Sequence, residues 1–206
     1  SEERTHTRLL VQNSGALMPT RSLLAGLSGE ISFLDTHGDV WPRPHGNTYW
    51  LWAGYILAGE HPALDGENNL HQRLQLLGQA GITHIIDLTL PTESDKTYLP
   101  PGGTVRLNFP IADFDVPTVS QMQAILQTIQ SVVNQGGRVY LHCRAGIGRT
   151  GTVAATWLVS QGIEGDAALT LLSQKWQAMD KCKVTPHTPE TDAQRQFVRA
   201  WKMASL

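Results

Sequence analysis

The chain is poor in cysteine: its 206 residues include only Cys143 and Cys182. Two thiols are too few for a disulfide framework and make a reducing compartment, the cytoplasm, the expected location. Eight histidines are present, yet none stands in HExxH spacing and the chain has no CxxC, so no metal site and no cofactor are expected. Long apolar runs are missing too. No stretch approaches the ~20 residues of a membrane span, and the opening SEERTHTR lacks the apolar segment of a secretory signal. Neither sign of charge dominates: 16 basic against 18 acidic residues leave a formal net charge of −2. That balance argues against nucleic acid or an anionic membrane as partner. A hydrophobic content of 41 % with 17 % charged residues fits a soluble globular protein with one substantial core, with room for an appendage. A monomer is the default expectation.

Residues 1–46 show no sustained periodicity and end in the turn-rich WPRPHGN, Trp41 to Asn47, with one short apolar stretch at Ser22 to Leu27. They read as an N-terminal extension of unknown role, with the domain proper at 47–206. From Asn47 the signals alternate. Tyr49 to Gly59 is aromatic and suggests a strand or hairpin near a sheet edge. Asn68 to Gly81 carries Leu70, Leu74 and Leu77 at helical spacing, with Asn69 as cap and Gly81 as stop. Ile82 to Leu90 and Thr104 to Ile111 read as strands. Thr118 and Gln121 suggest a capping box that opens a helix ending at Gly136. Arg138 to Cys143 is a short apolar strand, followed by a helix from about Arg149 to Gln161. Further helices are expected at Gly165 to Met179 and from Pro189 onward, the last capped by Thr188. This order predicts an α/β fold: a central, mainly parallel sheet flanked by helices. Ligands of such sheets bind beyond the carboxyl ends of the strands, and Cys143 falls there.

The connection HCRAGIGRTG, His142 to Gly151, carries the chemistry. Gly146 and Gly148 free the backbone to curl so that the amides of Arg144, Ala145, Gly146, Ile147 and Gly148 form a concave anion nest. The helix that follows adds the positive end of its dipole. Arg149, six residues after Cys143, offers a planar fork suited to two phosphate oxygens. A thiol in such a field is expected to ionise readily, and Thr150 supplies a hydroxyl able to donate to the sulfur. The arrangement predicts in-line attack of Cys143 on a bound phosphorus.

This loop resembles the HCxxxxxR(S/T) signature of the protein tyrosine phosphatase superfamily, with every defining position filled. The resemblance spans roughly Asn47 to Val198, is strong only around Asp113 and Cys143, and implies the strand–phosphate loop–helix fold of that family. The compact length is similar to the dual-specificity, bacterial-type branch. It implies phosphoryl transfer to Cys143 with substrate held by residues 144–149, and His142 orienting the loop and assisting the thiolate.

Departure of the alkoxide or phenoxide needs a proton donor, and an aspartic acid on a loop suits that task. Asn108 to Thr118 holds two candidates, Asp113 and Asp115. DFDVP, Asp113 to Pro117, resembles the family's D-F-G-V-P acid loop, which selects Asp113; Ala112 and Ile111 depart from the family's Trp-Pro. Thr188 to Val198 resembles a segment whose glutamine positions water for cleavage of the phosphocysteine, which implicates Gln194. Asp87 and Glu93 lie where either could orient Arg149. The expected function is a protein-tyrosine phosphatase, with dual specificity open, acting on a phosphorylated protein or peptide. The alternative is a phosphatase of the same fold acting on phosphoinositide, inositol phosphate or an RNA 5′ phosphate. Sulfurtransferase or arsenate reductase chemistry leaves the DFDVP loop unexplained, and a non-catalytic phospho-binding module would lack one of the three reacting groups.

Overall fold

The structure, a computed structural model, describes residues 41–93 and 98–202. The apolar stretch at Ser22 to Leu27 and most of the N-terminal extension lie outside the described residues. Among the described residues, strands β1 (Thr48–Trp52) and β2 (Ile56–Gly59) come first, then helix α1 (Glu67–Gln79) and strands β3 (His84–Asp87) and β4 (Val105–Asn108). Helix α2 (Val119–Asn134), strand β5 (Val139–His142), and helices α3 (Gly148–Ser160), α4 (Gly165–Trp176) and α5 (Asp192–Ala200) follow, with a 3-10 turn at Asp180–Lys183 before α5. The sheet order is β1-β2-β5-β3-β4. β1 and β2 form an antiparallel hairpin at one edge, and all other pairings are parallel.

The short strands face two cores, so their residues alternate between them. Val139 and Leu141 of β5 join Ile56, Ala58 and Ile86 under α2, α3, α4 and α5. Tyr140, with Leu57 and Ile85, points to the other face, where Leu74 and Leu77 of α1 cover it. β1 is an edge strand yet fully buried. Trp52 meets Trp157 edge-to-face at 4.9 Å and Tyr49 meets Trp176 at 6.1 Å, geometries that aromatic quadrupoles favour. Residues 41–46 lie against this hairpin: Trp41 packs on Trp50, whose indole donates to the Pro42 carbonyl.

Helix α3 is buried along its whole length, and apart from Thr150 its hydroxyls are satisfied within the helix. Thr152 donates to Gly148 O and Thr156 to Thr152 O, each at 2.7 Å, the back-bonding that lets a hydroxyl enter a core. Three helix starts differ from the sequence expectation. α1 begins at Glu67 after Gly66 with no side-chain cap, and Asn69 instead bonds back to Asp65 O. Thr118 caps α2, but Gln121 sends its amide to Pro110 O and leaves the box half made. The last helix is capped by Thr191, not Thr188, through a complete capping box with Gln194. Thr188 precedes a cis proline and donates to Ile147 O, so it serves a tertiary contact. α4 stops at Trp176 rather than Met179, giving way to the 3-10 turn.

Candidate active site

Strands β2, β5 and β3 end at one level, because His142 is in register with both Gly59 and Asp87. Cys143 follows immediately and is buried. The loop from Cys143 to Gly148 is then held by its carbonyls. Cys143 O accepts from His142 Nδ1 at 2.7 Å, Arg144 O from the His61 amide at 2.9 Å, and Ala145 O from Lys181 Nζ at 3.0 Å. Ile147 O accepts from Thr188 Oγ1 at 2.6 Å. In a trans peptide the carbonyl and the following N–H point oppositely. Tying these oxygens outward therefore turns the amides of Arg144, Ala145 and Gly146 toward the loop's interior, while the Gly148 amide serves the Glu190 carboxylate.

The loop needs glycine where the sequence puts it. Gly146 has φ +78°, and a Cβ there would lie 2.5 Å from Gly59 O and 2.9 Å from the Glu60 amide nitrogen. A Cβ on Gly148 would come 2.7 Å from Glu190 Oε1 and 2.9 Å from Gln194 Nε2. The loop is thus seated on the end of β2 and overlaid by the start of α5.

Arg149 is 99 % buried, with relative exposure of 1 %. Its two terminal nitrogens grip both oxygens of Glu93 at 2.7 and 2.8 Å, the bidentate geometry a guanidinium favours. One of them also donates to Ile111 O at 2.9 Å, and the other lies 3.3 Å from Asp113 Oδ1. Burial alone would lift the Glu93 carboxyl; the Arg149 and Leu90 donors outweigh it and hold the group below its ordinary range. Asp87 does not reach Arg149. It accepts from the Thr89 amide and hydroxyl and pairs with Arg106. Of the two carboxylates considered, the structure thus puts Glu93 on the arginine.

Asp113 and Asp115 sit on an exposed turn closed by Asp115 N donating to Ala112 O at 3.1 Å. Only Asp113 faces Arg149; Asp115 bonds its own neighbour, the Val116 amide. Between them Phe114 is 60 % exposed and has φ +63°, a conformation that bulky residues adopt only when the surroundings impose it.

Behind the loop lies a buried polar cluster. His142 Nδ1 faces a carbonyl and must carry the proton, so Nε2 accepts from Tyr98 OH at 2.6 Å. Burial depresses the ring's basicity, consistent with a neutral imidazole. His61 stacks edge-on against both Tyr98 and His142, and its Nδ1 accepts from the Ala63 amide. Beside it Glu60, 2 % exposed, pairs with Arg73 at 2.8 Å and with Lys181. Lys181 therefore links a buried carboxylate to a loop carbonyl.

Cys143, His142, residues 144–148, Arg149, Asp113 and Gln194 are all brought together. Thr150 departs from expectation: its buried hydroxyl has no partner, the Cys143 sulfur included. Cys182 is a free thiol whose Sγ faces Gln177 O. Sequence reasoning missed Lys181, Glu60, Tyr98 and Glu190, which reach the site from four separate segments without any local motif. Glu190 lies beside Gly148 and Asp113; burial and the Asp113 charge raise its carboxyl above the ordinary value, partly offset by the Gly148 amide and Arg149. Among the described residues no cluster of histidine, cysteine and carboxylates could hold a metal ion, and no helix is long and apolar enough to cross a membrane.

A five-stranded sheet flanked by helices, with a cysteine–arginine loop joining its central strand to a buried helix, defines the protein tyrosine phosphatase fold. The comparisons agree. Residues 63–163 match the family described as "Tc-R-P: Polymorphic toxin system, DSP-PTPase phosphatase". The crystal structure of Tk-PTP in the active form superposes with a TM-score of 0.63 at 25 % identity, over 79 % of this chain and 97 % of that one. An uncharacterized protein of Methanocaldococcus jannaschii, MJECL20, is 35 % identical over 92 residues, covering 45 % of this chain and 56 % of its own length. Dual specificity protein phosphatase 2 of Mus musculus is 30 % identical over 112 residues, 53 % of this chain and 34 % of that protein. The chain thus spans about half or less of the length of these curated relatives, and it belongs to the protein tyrosine phosphatase superfamily.

Proposed function

We propose that the chain hydrolyses phosphomonoesters of protein tyrosine residues through a phosphocysteine intermediate. The observation that carries this reading is the joint geometry of Arg149: its fork faces Glu93 and Asp113 over a loop whose carbonyls are tied back from Cys143. In this reading the inward amides of Arg144, Ala145 and Gly146 and the Nε–Nη2 edge of Arg149 bind the phosphoryl oxygens, and Cys143 attacks phosphorus in line. Arg149 Nε and Thr150 Oγ1, both buried donors without a protein partner, fit the same oxyanion. Asp113 gives its proton to the departing phenoxide, and as carboxylate it then draws one from the water that cleaves the phosphocysteine. His142 holds the first loop carbonyl in place.

Charge favours a single phosphate over a polyphosphorylated ligand. The segments 112–117 and 189–191 beside the loop carry Asp113, Asp115 and Glu190 and no cation, while the loop offers one exposed cation, Arg144. Clustered phosphates of an inositol ring or a lipid headgroup would meet like charge there. The expected location is the cytoplasm and the expected partner a phosphorylated protein or peptide.

The test is turnover of phosphotyrosyl, phosphoseryl and inositol phosphate substrates, with Cys143→Ser and Asp113→Asn alongside. Phosphotyrosyl peptides should be preferred, Cys143→Ser should be inactive, and Asp113→Asn should lose the basic limb of the pH profile. Inositol phosphate turned over faster than the peptides would overturn the substrate assignment. An Asp113→Asn profile matching wild type would remove the acid.

A further inference from the structure

We propose that Gln194 is the latch of the acid loop, positioning Asp113 rather than orienting hydrolytic water. The inference rests on the reading of Asp113 as proton donor. Gln194 is fully buried, and its amide oxygen is fully engaged. Its Oε1 accepts from the Glu190 amide at 3.0 Å and the Thr191 amide at 3.1 Å, filling both lone pairs. Its Nε2 donates to Asp115 O at 3.2 Å, 79 residues away in sequence. The amide orientation follows from these partners, since a flip would set NH2 against two N–H groups and oxygen against a carbonyl. An oxygen used twice by the helix cap has nothing left with which to hold a water.

The contact falls where the loop has least support. Its first arm is well tied: Ile111 N donates to Leu88 O, Ile111 O accepts from Arg149, and Pro110 O accepts from Gln121. Beyond it, Asp113, Phe114 and Asp115 are exposed. Apart from the Asp113–Arg149 pair, Gln194 makes the polar tie of residues 112–117 to the rest of the molecule among the described residues. Asp115 N closes the turn on Ala112 O, so fixing the Asp115 carbonyl fixes the backbone on both sides of Asp113. Gly148 leaves the space: a side chain there would collide with this amide. One glutamine therefore joins three parts of the site, the phosphate loop, the acid loop and the cap of α5.

The experiment is pre-steady-state kinetics of Gln194→Glu on aryl phosphates of graded leaving-group pKa. Glutamate keeps the acceptors of the capping box but has no donor for Asp115 O. If Gln194 is the latch, phosphocysteine formation slows roughly ten- to a hundredfold for phenyl phosphate, at or below the lower end of what general acids supply, because the acid is displaced and not removed. Dinitrophenyl phosphate, which needs no proton, should change little, and no burst should appear. Adding Gln194→Glu to Asp113→Asn should cost nothing further, since both act through one proton. A burst with loss independent of the leaving group would restore the water role and sink the latch. Loss of thermal stability with wild-type kinetics would also sink it, leaving only the cap. Gln194→Met repeats the comparison should the glutamate variant not fold, and Thr191→Ala reports the cap alone. If Asp113→Asn itself shows no leaving-group dependence, the acid assignment fails; if only Gln194→Glu lacks it, the latch fails and the acid stands.

Discussion

Arg149 illustrates how a single residue is prepared by others that never appear near it in sequence. Its spacing from Cys143 is local, so both were legible in HCRAGIGRTG. Glu93, which holds the fork by two hydrogen bonds, was legible only as one of two carboxylates after a strand, because nothing in a sequence tells which loop folds back. Glu93→Gln keeps the shape but removes one acceptor and the charge. It should raise KM severalfold and leave the fold intact, as steady-state kinetics and circular dichroism will show. Arg149→Lys should cost more, at least about a hundredfold in kcat/KM, since a point charge cannot replace the fork. Lys181 had no signal at all: a lysine on a short turn reads as solvated. Its bonds to buried Glu60 and to Ala145 O predict otherwise. Lys181→Met should destabilise by about 1–3 kcal/mol in urea titration, the range for a lost charged hydrogen bond. It should also weaken competitive inhibition by inorganic phosphate.

The elements were read better than their ends. Alternation of two-faced strands with helices fixed the α/β class, since period and length are local properties. Caps were misread where a tertiary partner outbid the local one, as when Thr188 donates to Ile147 O and leaves the capping to Thr191. Two glycines separate element-level from site-level demands. Gly78 lies in α1 with nothing near its absent Cβ, so Gly78→Ala should add about 0.5–1 kcal/mol of stability through helix propensity. Gly146→Ala meets the Gly59 carbonyl from a left-handed backbone. Either β2 or the phosphate loop must move, and a cost above about 1 kcal/mol is expected, together with loss of phosphate binding. Thermal midpoints of the pair should move in opposite directions. Equal shifts would mean that the loop is not seated on the end of β2.

For the molecule as a whole, the buried histidines couple stability to pH. His45 and His61 are each pushed down to about 4, chiefly by burial, then by Arg73 for the first and His142 for the second. His142 is lowered as well. A base whose folded value is depressed takes up its proton more readily when unfolded. Stability is therefore full above the ordinary value near 6.5 and drains away as pH falls toward 4. Asp87 continues the loss at lower pH: burial would raise it, but His142, the Thr89 donors and Arg106 hold it below its ordinary value. Its contribution is present above that value and disappears as the folded carboxyl protonates, and Glu93 behaves alike. Glu190 has the opposite sign: its raised carboxyl offsets part of this loss as pH falls. Urea midpoints should accordingly fall steadily from pH 7 to pH 4.5. The slope should be on the order of the 1.4 kcal/mol per pH unit that one fully transferred proton gives. His61→Gln retains an acceptor for the Ala63 amide and cannot titrate, so its midpoint should decline less over that interval. A decline as steep as wild type would assign the pH dependence to groups other than His61.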